Sequence, residues 1–149
     1  AAAARDTGEQ QAMRIAFRTG GVAGIYVMPY LARGKQPTAA DVIAHLEHAV
    51  QVCGEDHVSI GTDGTLSAVK LTPEFVTQFR ENTRRRKELG IAAPYETEEG
   101  YLFANDLNTP RRLETLAQLL VERGHGEARV EKLLGANLLR VFGEAWQPA

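Results

Sequence analysis

The chain has 149 residues, 44% of them hydrophobic and 24% charged, which suits one soluble domain or a piece of a larger one. A formal net charge of -2 gives no global field that would recruit nucleic acid or an anionic membrane. The single cysteine, Cys53, excludes an intramolecular disulfide, and no apolar run approaches the ~20 residues of a membrane span.

Residues 1–5 carry no signal-peptide core, and the abrupt start without Met suggests a chain that was cut, processed or incompletely recorded. The spacing of Ala12, Ile15 and Ala16 predicts a helix from Thr7 to Thr19, ended by Gly20-Gly21. Residues 22–28 then read as a strand stopped by Pro29. They are apolar almost throughout, as a parallel strand covered on both faces would be. Thr38, with Asp41 three residues later, marks the start of a helix from Ala39 to Cys53, and Gly54 ends it. Val42, Ile43, Leu46, Ala49 and Val50 form its apolar side. Residues 56–64 read as a short strand that runs into a polar loop.

The pattern then changes. A charged helix is predicted from Pro73 to Leu89, followed by a long irregular stretch from Gly90 to Asn108. Thr109-Pro110 reads as the start of a helix that Gly124 ends. Shorter helices follow at 127–134 and 137–146. Helix, strand, helix, strand with short links argues for a parallel sheet of βαβ units. Two parallel strands do not make a stable sheet alone. The chain is therefore expected to belong to a larger α/β body or to an oligomer.

Candidate chemistry is sparse. Asp63 follows an apolar strand at the end where α/β barrels place catalytic residues, and a carboxylate there can bind a metal or move a proton. An ordinary Asp-Gly turn is the competing reading. His45 and His48 share a helix face, but no third ligand stands at a familiar spacing, so surface or packing roles are expected. His57 is expected to cap or pack, and His125 to be an exposed turn residue. Glu81 and Glu88 flank the basic run Arg84-Arg85-Arg86-Lys87, which reads as a solvated helix face. Gly20-Gly21 precedes a strand and lacks the Lys-Ser/Thr of a phosphate loop.

Several segments, in order, resemble the membrane (renal) dipeptidase family. Gly20-Gly21-Val22-Ala23-Gly24-Ile25-Tyr26 is similar to a strand of that family. His45-Leu46-Glu47-His48, with Gly54 to Asp63, resembles its helix and last barrel strand. Residues 119–124 and 132–142 are similar to its C-terminal end, and Asp106-Leu107-Asn108-Thr109-Pro110 resembles bacterial members. The resemblance implies the C-terminal part of a (β/α)8 TIM-type barrel. It would hold the last two parallel strands and the C-terminal helices, incomplete on its own, with residues 1–149 as one portion of a metallo-dependent hydrolase domain.

The family's implied chemistry is hydrolysis of dipeptides with two zinc ions. Its ligands are a His-x-Asp, a bridging Glu and two later histidines, all in motifs that would precede this chain. His45, His48 and His57 match family positions outside the metal site. Asp63 matches the aspartate that handles the proton during attack by water, although Thr65 stands where a second Asp is frequent. Arg5 resembles the arginine that binds the substrate carboxylate, with Asp6 in place of the usual Asn. The resemblance thus implies a catalytic Asp63, a substrate-binding Arg5 and no metal ligand in this chain.

The isolated chain is expected to be soluble, in cytoplasm or periplasm, and inactive for want of metal ligands, with a missing N-terminal half or self-association as its expected partner. Two readings compete. One is a non-catalytic remnant or interaction module that pairs its strand edges with a partner or itself. The other is a hydrolase that binds its metal through His45 and His48.

Overall fold

The computed structural model describes residues 14, 15, 17–28, 31, 32, 35–62, 64, 67–93 and 96–146. Strand β1 (Ala23–Tyr26) leads to helix α1 (Ala39–Cys53), then to strand β2 (Val58–Gly61). Helix α2 (Pro73–Glu88) and an irregular segment follow, then α3 (Arg112–Glu122), α4 (Glu127–Glu131) and α5 (Asn137–Ala145). The two strands pair in parallel, with Ala23 opposite Val58 and Tyr26 opposite Gly61. The fold is thus α/β, with a βαβ unit at its centre.

Helix α1 is anchored at both ends by its own sequence. The Asp41 carboxylate accepts the Thr38 backbone N–H at 2.9 Å, satisfying a donor that the helix leaves over. Asp106, from the irregular segment, accepts the Ala39 N–H at 2.7 Å. At the far end Gly54 takes φ 85°, a conformation that costs a glycine little. Val42, Ile43, Leu46 and Ala49 are fully buried, and they join Val58, Ile60, Leu107, Leu116, Leu120 and Leu133 in one core. The periodicity that predicts α1 is therefore also the core's main wall.

The two strands differ in cover. Val58, Ser59 and Ile60 of β2 are all buried. Strand β2 lies against α1 and against the wide turn Lys132–Ala136 between α4 and α5, where the Ser59 hydroxyl donates to the Leu133 carbonyl at 3.1 Å. Strand β1 is covered on one face only: Gly24 and Tyr26 are exposed, Ala23 and Ile25 half-buried. The expectation of cover on both faces, made for residues 22–28, thus fails for β1, whereas β2 is the strand the C-terminal turn packs against. Asn137, at the start of α5, is 3% exposed and donates to the carbonyls of Glu55 and Val58, at 2.7 Å each. It locks the C-terminal helices to the entrance of β2.

Helix α3 begins at Arg112, two residues later than Pro110 suggests. The Arg112 side chain is buried and donates through Nε to the Thr109 carbonyl, which a helix starting at Pro110 would need for its own first turn. Helix α2 begins as the sequence predicts, with Thr72 Oγ accepting the Phe75 N–H and Pro73 in the first turn. The irregular segment after α2 is held by Gln36, whose side chain bonds the Tyr101 N–H and carbonyl and the Phe103 carbonyl. Beside it Tyr101 stacks on Phe103, and the Phe79 ring meets Tyr101 at a tilt.

Candidate functional site

Parallel pairing brings the C-terminal ends of β1 and β2 together. Beyond Tyr26 and Gly61 the ladder gives out with a last bond from the Val27 N–H to the Gly61 carbonyl, 3.1 Å. A side chain at Gly61 would collide with the Tyr26 ring, since a Cβ there would lie 2.9 Å from Cδ1. Glycine at this position lets the ring lie flat over the strand end. Thr62 follows, its hydroxyl donating to the Gly64 carbonyl at 3.3 Å. Asp63 and Arg5, the two residues with roles implied by the resemblance, both lie outside the described residues.

The histidines sit apart. His45 is exposed on α1 and donates through Nε2 to the Leu31 carbonyl at 3.0 Å, and His48 is exposed one turn on. His57 donates through Nδ1 to the Gly21 carbonyl at 2.8 Å and meets the Phe17 ring edge-on at 5.1 Å. His57 therefore packs, tying the approach to β1 to the entrance of β2. Among the described residues no group of three or more His, Cys, Asp or Glu side chains is placed to hold a metal ion. The described residues do not fit the two-zinc centre that the resemblance implies.

His125 corrects the expectation of an exposed turn residue: its side chain is 14% exposed and lies within a charge network. Arginine only donates, so the 3.3 Å contact from Arg129 makes Nδ1 an acceptor and leaves Nε2 to donate to Glu47 at 2.9 Å. Glu47 also takes two bonds from Arg123, at 2.9 and 2.7 Å. The Arg123 guanidinium, with His125 assisting against burial, holds the Glu47 carboxyl down to about 2. Lys132 and Arg129 converge on Glu55, lowering its pKa, and Lys132 reaches Asp56 as well at 2.7 Å. The network joins α1, the turn into β2 and the C-terminal helices across 74 to 78 residues of sequence. Its role is architectural, and nothing local in the sequence signals it.

The basic run on α2 is exposed, as expected, but two of its members are paired. Arg84 meets Glu98 at 3.0 Å, and Arg86 meets the nearly buried Glu96 at 3.0 Å. Cys53 is buried, its thiol donating to the Ala49 carbonyl at 3.0 Å, and burial pushes its pKa up, away from nucleophilic thiolate chemistry. None of the described helices is long and apolar enough to cross a membrane.

Comparison with known proteins supplies what the described side chains do not. A solved amidohydrolase from Pseudomonas aeruginosa superposes on 92% of this chain with a TM-score of 0.67 at 23% identity, so the two share a fold. The chain spans 40% of the length of that structure. Residues 9–80 match the family described as membrane dipeptidase, peptidase family M19, a stretch that holds both strands, α1 and Asp63. Across residues 9–80 the chain is therefore similar to the membrane dipeptidases, peptidase family M19.

Proposed function

We propose that this chain forms the last two strands and the C-terminal helices of a (β/α)8 barrel whose complete form hydrolyses dipeptides. The observation that carries this reading is the family match over residues 9–80. The parallel β1–β2 pair and the 40% span of the amidohydrolase structure support it. In barrels the chemistry sits at the C-terminal ends of the strands, and Asp63 comes two residues after the end of β2. Asp63 accepts a proton from the attacking water and returns it to the nitrogen of the leaving amine. Arg5 holds the substrate's terminal carboxylate through two parallel N–H···O bonds. Zinc ions in such an enzyme are held by residues other than those described here, and the isolated chain does not turn over substrate.

The test is zinc content of the purified 149-residue chain by mass spectrometry, together with a dipeptide hydrolysis assay. The expected result is neither bound zinc nor turnover. Bound zinc with turnover would refute the partial-barrel reading. If a longer form carrying the preceding strands hydrolyses dipeptides, Asp63→Asn should lower kcat by ~100-fold or more, with KM little changed. The competing reading, an interaction module, draws on the one-sided cover of β1 and the 48% exposure of Tyr26. A stable, metal-free homo-oligomer in light scattering would favour it.

A further inference from the structure

The run Asp106-Leu107-Asn108-Thr109-Pro110 closes the irregular segment, and its residues have separate tasks. The Asp106 carboxylate receives the Ala39 N–H, Leu107 is fully buried in the core, and the Thr109 carbonyl accepts from Arg112 Nε. Asn108 grips a piece of backbone. Its carboxamide accepts the Val69 N–H at 2.7 Å and donates to the Val69 carbonyl at 2.9 Å, as a neighbouring strand would. Arg112, 6% exposed, donates to the Ser67 carbonyl at 3.1 Å. A guanidinium buried against that carbonyl is costly to displace.

Gln36 makes the same two-bond grip on Tyr101, at 2.9 and 3.1 Å, and the Asn105 N–H adds a bond to the Pro37 carbonyl at 2.7 Å. Gln36 and Pro37 belong to the loop between β1 and α1, and Ser67 and Val69 to the loop between β2 and α2. Residues 101–112 thus tie together the two loops that leave the C-terminal ends of the paired strands. Every one of these bonds is made within the described residues of this chain.

The consequence falls on the span that carries Asp63. Without the ties, eleven residues, 62–72, run from the end of β2 to the start of α2. With Ser67 and Val69 held, five residues, 62–66, remain between fixed points. The chance of finding one point of a chain in one place falls as about the 3/2 power of the span, so the shorter span gains about threefold.

We propose, building on the role given to Asp63, that Asn108 and Arg112 are positioning residues for it. They fix the far end of its loop and leave the chemistry to Asp63.

The test uses Asn108→Leu, which removes the grip, and Asn108→Asp, which makes it depend on pH. A protonated carboxyl offers one donor and one acceptor, as the carboxamide does, whereas a carboxylate has no donor for the Val69 carbonyl. In NMR spectra of the 149-residue chain, the Val69 carbonyl carbon of Asn108→Asp should match the parent near pH 3 and Asn108→Leu near pH 7. With Asp63→Asn added to silence that carboxyl, the Gly64 amide should titrate with the same midpoint. In a form that carries the preceding strands, Asn108→Leu should lower kcat about threefold with KM little changed, and should add nothing in an Asp63→Asn background. If Asn108→Leu fails to fold, Asn108→Asp at pH 7 takes its place. A Val69 carbonyl that ignores pH in Asn108→Asp overturns the proposal, as does a Gly64 amide that stays still while Val69 moves. A threefold loss repeated in the Asp63→Asn background overturns it too, and leaves the role of Asp63 standing. Turnover that survives Asp63→Asn refutes that role alone, since the tie between the loops is read from Val69 and Gly64.

Discussion

Glu47 is the place where one substitution should change both the stability of the chain and its dependence on pH. Its carboxylate takes two bonds from Arg123 and one from His125, and it is held at about 2 against an ordinary 4.5. That difference sets a ceiling of about 3 kcal/mol for the contribution of ionised Glu47. Arg123 is 48% exposed, so screening by water reduces the contribution to about 1–2 kcal/mol. Because the folded value lies below the unfolded one, the contribution is complete above pH 4.5 and is lost as pH falls toward 2. Glu47→Gln keeps an acceptor and removes the charge. It should cost about 1–2 kcal/mol near neutrality in urea unfolding, and the gap to the parent should narrow steadily as the pH falls from about 5 to about 2.5. A gap that stays constant over that range would refute the account, since the loss would then owe nothing to ionisation.

Other outcomes follow from the core and the strand ends. Leu46 is fully buried at the centre of α1, and Leu46→Ala should destabilise the chain by about 3 kcal/mol in the same assay. Asn137→Leu should cost about 2–3 kcal/mol, because the carbonyls of Glu55 and Val58 would lose their donor at a site 3% exposed. Gly61→Ala should cost about 1 kcal/mol by displacing the Tyr26 ring, and much less in a Tyr26→Ala background; equal costs in both would show that the ring is not the obstacle. Gly54→Ala at φ 85° should cost about 1 kcal/mol through backbone strain, with no change in the near-UV spectrum of the aromatic residues.

The sequence by itself determined those elements whose causes are local. Thr38 with Asp41, Gly54, and the spacing of Val42, Ile43, Leu46 and Ala49 specify α1, because a cap, a left-handed stop and an apolar stripe each act within a few turns. Thr72-Pro73 does the same for the start of α2. The parallel pairing of β1 and β2 followed from the βαβ alternation, and the ordered resemblance along the chain pointed to the family that residues 9–80 match. Only the tertiary structure decided which faces are covered. Strand β1 reads as apolar as β2, yet it is β2 that the turn Lys132–Ala136 packs against, and no pattern within β1 records where a segment more than a hundred residues later will pack. His125 appeared as a turn residue because Glu47 and Arg129 meet it only through the packing of α1 against the C-terminal helices. Arg112 delayed α3 for a similar reason, since its buried guanidinium also reaches the Ser67 carbonyl, 45 residues away. Local physics sets caps, stops and periods, whereas burial and charge pairing depend on neighbours that only the folded chain brings together.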